Sequence, residues 1–313
     1  MDKQIRNKPK FTQELVFLAV HLVPVAAFWT KVTWFDWTVC AALYFIRMFF
    51  VTGSYHRYFS HRTYKTSRWF QFFLAFMAQT SAQKGVLWWA AHHREHHRHS
   101  DTPEDPHSMK LYGFWYSHIG WIAGPDYKET RIGLIQDFAR FKELVWLNKY
   151  HFVPALVMAI LVTMLGGIVN GNGIQDMFSH GLSTLFIGFF LSTVILYNGT
   201  FLINSLMHYI GKARYKTGDE SRNSLILALI TLGEGWHNNH HYYPSATRNG
   251  FFWWEIDITY YVLKTFSWLG LIWDLHPVPH HVKYPDDEMR ATPKNKSAKQ
   301  KQDDHKSESV LKA

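Results

Sequence analysis

Long apolar segments, separated by polar stretches rich in histidine, constrain most strongly what this chain can fold into. Four of them, at about residues 14–30, 36–51, 151–169 and 181–203, are candidate membrane-spanning helices. The mean hydropathy of −0.18 resembles that of a soluble protein, but the polar stretches that hold most of the 20 histidines lower the average. The sequence therefore predicts an all-α integral membrane protein with four transmembrane helices arranged as two hairpins.

The basic residues predict how these spans are oriented. The short loop at residues 31–35 and the loop at 170–180, which contains no Lys or Arg, both read as external. The N-terminal tail carries four basic residues: Lys3, Arg6, Lys8 and Lys10. We therefore expect a multi-pass protein with cytoplasmic termini and a cytoplasmic helical cap. Arg47, near the inner end of the second span, is expected to extend its charged head to the interface.

Composition limits both the domain organisation and the chemistry. Residues 1–285 are predicted to form a single membrane domain, and residues 286–313 a disordered polar tail. A net charge of +9 permits nucleic-acid binding, but the chain has no recognised nucleic-acid motif. Cys40 is the single cysteine, which excludes an internal disulfide and a cysteine-bound iron–sulfur cluster.

The histidines follow a repeated spacing. The pattern H-x-x-H-H occurs at His93, His96 and His97 and again at His237, His240 and His241. On a helix these offsets span roughly 100°, so three imidazoles can converge on one side. His56 and His61 are five residues apart and would point about 140° from each other on a regular helix, so they could reach two different metal ions. His208 follows the fourth predicted span.

Nine histidines are more than a single zinc ion takes, which indicates two metal ions sharing the set. Neutral imidazole binds iron, copper, zinc and nickel, so the residues alone leave the metal open. Asn204, one turn before His208, could complete a coordination shell through a bound water. Three carboxylates are candidates for orienting the ligand rings: Glu95, Glu234 and Asp105.

Three strings in this order resemble the membrane acyl-CoA desaturase family, which includes the stearoyl-CoA desaturases. They are HRYFSHRTYK at residues 56–65, HREHH at 93–97 and GEGWHNNHH at 233–241. Further agreement comes from Asp105-Pro106-His107, the spacing of Asn198, Thr200, Asn204 and His208, and Ser221-Arg222-Asn223. The resemblance covers about residues 51–244 and the four-span layout.

The resemblance implies a site in which nine histidines and one water-linked asparagine bind two iron ions. Carried over to this chain, that set is His56, His61, His93, His96, His97, Asn204, His208, His237, His240 and His241. Gln83, Trp89 and Thr200 match the family residues that bend the acyl tunnel, which implies a cis product. One departure is Ala91 and His92, where animal members carry an Arg-Asp pair associated with the CoA head group.

The reaction implied is desaturation of a saturated acyl chain, carried by CoA or another acyl donor, with position 9 as the family default. Removing hydrogens from unactivated methylenes needs iron and O2, and two electrons per turnover. The sequence holds neither a dinucleotide-binding G-x-G-x-x-G nor the His-Pro-Gly-Gly of a fused cytochrome b5. A separate ferredoxin-type or cytochrome b5-type donor with its reductase is therefore expected. The alternatives are a membrane fatty acid or alkane hydroxylase with similar boxes and, from another class, a metal transporter.

Overall fold

The computed structural model describes residues 11–123 and 129–285, and this part of the chain is mostly helical. It divides into two compact units, one ending at His276 and one beginning at Pro277. The described part of the second unit contains one short helix, α15 (His280–Lys283). The predicted disordered tail, 286–313, lies outside the described residues, and the predicted extent of the domain, 1–285, remains a prediction.

The first unit is built from α-helices that are extended or joined by short π- and 3₁₀-helices. The α-helices are α1 (Phe11–Leu22), α2 (Trp34–Phe50), α3 (Arg68–Gln79), α4 (Val86–His99), α5 (Met109–Tyr112), α6 (Trp121–Ala123), α7 (Gln136–Ala139), α8 (Lys142–Lys149), α9 (Val153–Asn170), α10 (Ile174–Ser183), α11 (Ser192–Asn204), α12 (Leu225–Ile230), α13 (His237–Tyr242) and α14 (Ile258–Trp268). The π-helices are Val51–Ser60, Tyr116–Gly120 and Thr184–Leu191, and the 3₁₀-helices are Val23–Trp29, Ile132–Leu134 and Leu206–His208. Two short antiparallel strands, β1 (Lys65–Thr66) and β2 (Ile272–Trp273), pair Lys65 with Trp273.

Three helices in the described part of the chain are long and apolar enough to cross a membrane: Trp34–Ser60, Val153–Asn170 and Ile174–His208. They correspond to the second, third and fourth predicted spans. The first predicted span is represented by a shorter apolar stretch, Phe17–Trp29, in which a 3₁₀-helix follows α1. The layout of four spans with a cytoplasmic cap therefore remains a prediction.

The helix that corresponds to the fourth predicted span starts earlier than predicted, at residue 174 instead of 181. Gly173 has φ +97, a left-handed conformation that glycine adopts without steric cost, and it allows a tight turn between α9 and α10. The predicted external loop at 170–180 is therefore largely helical. The helices α9 and α10 pack against each other, and α2 packs against the π-helix Thr184–Leu191.

Arg47 lies inside the helix bundle instead of extending to the interface as expected. Its side chain is fully buried, and its guanidinium donates hydrogen bonds to the hydroxyls of Ser192 and Thr193 and to backbone carbonyls. Because a guanidinium has five donors, these neighbours can satisfy it although no carboxylate among the described residues forms an ion pair with it. Arg47 therefore joins α2 to α11.

The ends of the long helices and two shorter helices carry the histidines. The π-helix Val51–Ser60 continues α2 and holds His56, while the 3₁₀-helix Leu206–His208 follows α11. The other histidines of the three boxes lie at residue 61 and on α4 and α13. Apolar side chains of α2, α3 and α4 form the largest core cluster directly beside them. Packing of these elements brings the histidines together.

Candidate metal centre

Nine histidines lie in two neighbouring groups, each compact enough to hold a metal ion. Group one contains His56, His61, His93, His97 and His240. Group two contains His96, His208, His237 and His241. Within each group one ring nitrogen of every histidine lies within 4.8 Å of the others. These are the nine histidines predicted from the sequence.

In group one the Nε2 atoms point toward a common centre. The Nε2 atoms of His56 and His240 are 2.9 Å apart, those of His61 and His93 are also 2.9 Å apart, and those of His240 and His97 are 3.0 Å apart. His56 faces away from this centre through Nδ1, which lies 2.7 Å from Glu234 Oε2. The rings thus present their inner nitrogens to one volume.

His56 and His61 belong to the same group, so they do not point apart as they would on a regular α-helix. The reason is the π-helix, in which hydrogen bonds join residues five apart. The amide of His61 donates to the carbonyl of His56 at 3.2 Å, and the ring centroids are 4.9 Å apart. In the wider π-turn the side chains of two residues five apart lie much closer in direction than the roughly 140° that separates them on an α-helix.

Each H-x-x-H-H box is divided between the two groups. On α4 the pair four residues apart, His93 and His97, joins group one while His96 joins group two. On α13 the corresponding pair, His237 and His241, joins group two, and His240 joins group one. Residues four apart on a helix are only about 40° apart, while the third residue is rotated further round the axis. The two short helices therefore link the groups.

Group two is surrounded by carboxylates. Nδ1 of His96 lies 3.0 Å from Asp105, Nδ1 of His208 lies 3.0 Å from Asp101, and Nδ1 of His241 lies 2.6 Å from Asp219. Nε2 of His208 faces Nε2 of His237 at 3.1 Å. A carboxylate on the outer nitrogen fixes the tautomer and orientation of a metal-binding imidazole.

Of the carboxylates predicted to orient rings, Asp105 and Glu234 contact histidines and Glu95 does not. Glu95 instead pairs with Arg131. The sequence analysis missed Asp101 and Asp219. Both are acidic residues close to recognisable motifs, since Asp101 follows the second box and Asp219 precedes Ser221-Arg222-Asn223, and this proximity was the available signal.

Glu234 also neutralises a buried cation. Arg57 donates to Glu234 Oε1 at 3.0 Å and forms an ion pair with Asp257, and all three side chains are buried. The chain reaches this position through Gly233, which has φ +127 and where a Cβ would lie 2.4 Å from Asp257 Oδ1. Only glycine fits such a backbone. The third box therefore supplies both ligand-type histidines and the carboxylate that holds His56.

Burial and mutual proximity keep most of these rings neutral. Burial, followed by the neighbouring histidines, lowers the pKa of His61, His93, His97, His237 and His240 well below the ordinary value. Burial also lowers the pKa of His241 to about 4, although Asp219 opposes the shift. Neutral imidazole is the form that binds metal.

The carboxylates of group two stay ionised. Burial opposes ionisation, but His96 and His107 hold the pKa of Asp105 well below its usual range, and the bond to His208 lowers that of Asp101 to about 2. His96 is the exception among the rings. Burial would lower its pKa, yet Asp105 raises it above the ordinary value.

The nine histidines fit two metal ions whose neighbouring ligands lie at right angles. At a metal–nitrogen distance of about 2.1 Å, two nitrogens at right angles are about 3.0 Å apart, and two tetrahedral ones about 3.4 Å. The observed separations of 2.9–3.1 Å match the right-angled arrangement. Nε2 of His241, the ring nitrogen turned away from Asp219, is buried and has no hydrogen-bond partner among the described residues. An open shell of imidazoles with these spacings suits iron better than a closed tetrahedral zinc site.

A largely apolar cavity of about 460 Å³ adjoins group one. The three predicted tunnel residues Gln83, Trp89 and Thr200 line it, as do His93 and Asn204. Gln83 Nε2 donates to Thr200 Oγ1 at 3.0 Å, and the ring of Trp89 stacks on that of His93 with centroids 5.0 Å apart. The cavity thus runs to the metal-facing rings and is shaped by a polar bridge across it.

Ala91 and His92, the departure noted in the sequence, are both buried. Ala91 is completely enclosed in the core, and Nδ1 of His92 lies 2.9 Å from the carbonyl oxygen of Trp88. His92 lines the cavity. These two positions therefore present no cationic side chain at the surface.

Comparison with known proteins gives a consistent result. Residues 32–267 match the family model described as fatty acid desaturase. The chain is 33% identical over 268 residues to the sn-2 palmitoyl-lipid 9-desaturase of Nostoc sp. (strain 36), covering 82% of this chain and 87% of that protein. It is 31% identical over 284 residues to the sn-1 stearoyl-lipid 9-desaturase of Synechocystis sp., covering 89% and 84%. It is 35% identical over 255 residues to the acyl-CoA C20 Delta5-desaturase of Anemone leveillei, covering 78% and 74%. The chain therefore belongs to the fatty acid desaturase family, an oxidoreductase family of lipid metabolism.

Proposed function

We propose that this chain introduces a cis double bond at position 9 of a saturated fatty acyl chain, with O2 and two electrons, at a di-iron centre. The observation that carries the proposal is the pair of histidine groups beside an apolar cavity. Iron bound there would supply the O2 chemistry strong enough to remove hydrogen from an unactivated methylene. The proposed ligands are the nine histidines, with Asn204 acting through a water.

The chain itself contributes orientation and exclusion of water. The apolar wall of the cavity suits an alkyl chain, and the bridge between Gln83 and Thr200 restricts the path that chain can take. Trp89 lies against His93 and so sets the distance of the alkyl chain from group one. A bent path holds two neighbouring methylenes in the conformation that gives a cis product.

The acyl donor has two candidates. The resemblance to stearoyl-CoA desaturases implies acyl-CoA, and the Anemone relative is named for acyl-CoA. A membrane lipid is the second candidate, because the Nostoc and Synechocystis relatives are named as lipid 9-desaturases. The buried Ala91 and His92, which replace the Arg-Asp pair of animal members, favour the lipid.

Expression in a host that lacks its own desaturase tests the function. Mass spectrometry would locate the double bond separately in the acyl-CoA and the glycerolipid fractions shortly after a pulse of labelled stearate. A new 9-alkene is expected, and the fraction labelled first identifies the donor. The variant His240→Ala, expressed to the same level, is the matched inactive control. Hydroxy acids without alkenes would contradict desaturation and support the hydroxylase.

The membrane arrangement is part of the proposal. The three membrane-length helices and the stretch Phe17–Trp29 support four spans, with both termini and the histidine groups on the cytoplasmic side. Labelling of single cysteines from either side of sealed vesicles tests the orientation. Labelling from outside at a cysteine replacing Lys216 would contradict it.

A further inference from the structure

An exposed loop beside the metal centre carries three basic residues and is bonded directly to the third histidine box. The basic loop, residues 212–216, exposes the side chains of Lys212, Arg214 and Lys216, while Tyr215 between them is buried. We propose that the basic loop is the docking surface for an acidic one-electron carrier protein. This inference rests on the proposed function, because it names a partner of the same site.

The basic loop is held rigidly by the box that contains the ligands. The amides of Arg214 and Tyr215 both donate to Asn238 Oδ1 at 2.7 Å, and Asn238 Nδ2 donates back to the carbonyl of Tyr215 at 3.0 Å. Lys212 exchanges both backbone hydrogen bonds with Asn223, which in turn accepts from the amide of Asn238. A partner that binds this loop is thereby fixed relative to α13.

The positive charge of the basic loop is largely uncompensated. Within the described residues Lys212 and Lys216 form no ion pair, whereas Arg214 is neutralised by Glu255. The nearest acidic residues along the chain are occupied, since Asp219 bonds His241 and Glu220 pairs with Lys110 and Arg222. Two free ammonium groups on a fixed loop attract and orient an acidic protein.

Two pairs of stacked rings lie between the basic loop and the two histidine groups. The ring of Tyr215 stacks on that of Tyr242, with centroids 4.4 Å apart and an interplanar angle of 8°. Tyr242 follows His241 of group two, and His241 stacks on His97 of group one with centroids 4.4 Å apart. A carrier on this loop is therefore connected to both groups through two ring stacks that the backbone joins at residues 241–242.

The number of electrons in the proposed reaction determines how many times a carrier must dock on the basic loop in one turnover. One saturated acyl chain, one O2, two electrons and two protons give one alkene and two waters. Each docked carrier is oxidised by one electron, so two docking events serve one turnover. Docking must therefore be fast and reversible, which suits attraction between surface charges better than a large apolar interface.

Binding measured on the full-length chain in nanodiscs of zwitterionic lipid tests the proposal without relying on activity. The probes are a plant-type [2Fe–2S] ferredoxin and, separately, cytochrome b5. The double variant Lys212→Glu/Lys216→Glu should weaken binding at least about tenfold at low ionic strength. The difference should disappear at about 1 M salt, where the Debye length is about 3 Å. Metal-free and metal-loaded protein should show the same difference.

The matched control is Lys142→Glu/Lys149→Glu, which reverses two exposed lysines on α8 and should leave binding within about twofold of the unmodified chain. Anaerobic oxidation of the reduced carrier should slow about tenfold in the loop variant only. Product from a single turnover driven by dithionite should stay unchanged, because the small reductant needs no docking.

Three results would overturn the proposal: equal weakening by both double variants, no binding of either carrier to the unmodified chain at low ionic strength, or loss of binding to anionic vesicles with carrier binding intact. The last result would assign the loop to lipid head groups. If the carrier binds through the loop but no alkene forms, the proposed function fails while the docking surface stands. If dithionite supports alkene formation but no carrier binds, only the docking surface fails.

Discussion

The two histidine groups lie side by side but differ in their surroundings. Group one has five imidazoles and one carboxylate, Glu234, on the outer nitrogen of His56. Group two has four imidazoles, three of which contact a carboxylate. Group one offers more nitrogen ligands, whereas the carboxylates around group two place more negative charge near a metal bound there. We therefore expect the two metals to differ in affinity, in pH dependence and in the room left for a water on Asn204.

The largest expected effect is that of His240→Ala. His240 contacts both His56 and His97 through Nε2, so its loss opens the middle of group one. Alkene formation should be abolished, and bound iron should fall by at least one of about two ions per chain. Elemental analysis and product assays on the purified protein measure both. Retention of full iron content would show that group one does not hold a metal through this residue.

The next effect separates the groups through their carboxylates. Asp219→Asn removes the negative charge of the carboxylate that contacts His241. It should weaken metal binding at group two about 10- to 100-fold, with little change at group one. Glu234→Gln should act on group one instead and also destabilise the fold, because the buried Arg57 loses a partner. Competition with a chelator gives the affinities, and thermal unfolding gives the stability. Identical metal profiles for the two variants would remove the distinction between the groups.

A smaller effect concerns protons. In the metal-free protein Asp105 raises the pKa of His96, so group two retains part of a proton near pH 7 that the metal must displace. Its affinity should therefore rise with pH through the pKa of His96, by up to about tenfold per pH unit below that pKa. In group one the lowered pKa values of His61, His93, His97 and His240 keep these four rings neutral, so their affinity for metal should change little near pH 7. Calorimetry in two buffers of different ionisation enthalpy counts the protons. If the His96→Ala variant and the unmodified chain released the same number of protons on binding metal, the displaced proton could not be assigned to His96.

The same shifts predict acid lability of the metal-free fold. Rings with a lowered folded-state pKa bind fewer protons folded than unfolded, so they stabilise the fold above the unfolded pKa of about 6.5. That stability is lost as the pH falls toward the folded-state values. Denaturant unfolding between pH 8 and 5 measures it, and a midpoint that rises on acidification would be inconsistent with burial of neutral rings.

The smallest expected effect is that of Glu95→Gln. Glu95 lies between two ligand-type histidines in sequence, yet it pairs with Arg131 and contacts no ring. Metal content and affinity should stay within about twofold of the unmodified chain. A change as large as that of Asp219→Asn would mean that a carboxylate need not touch a ring to affect its group. The pair of variants thus tests whether contact, and not proximity in sequence, defines the difference between the groups.

The spacing of His93, His96 and His97 was sufficient to predict that these rings lie on neighbouring sides of one helix, because offsets of three and four are a local property of a helix. The division of each box between two groups was not predictable, since it depends on how α4 and α13 cross, which is set by distant core contacts. The predicted wide angle between His56 and His61 was wrong for a local reason. The sequence has no marker for a π-helix, so the α-helical angle was applied.

The membrane segments also show that local properties can be predicted from the sequence, whereas features set by turns and distant contacts cannot. Hydropathy identified the three long helices, because apolar length is readable from the chain. The start of the last of these helices at Ile174 depended on the turn at Gly173. The burial of Arg47 depended on the hydroxyls of Ser192 and Thr193, more than 140 residues away. Asp101 and Asp219 were missed because their partners are defined only once the chain has folded.

The division of the boxes has a consequence for assembly of the centre. Because α4 and α13 each supply rings to both groups, a metal in one group fixes helices that the other group also needs. The first ion therefore bears most of the ordering cost, and the second binds to a shell already arranged. Loading should be cooperative, and during iron titration chains that hold a single ion should be scarce beside empty and filled ones.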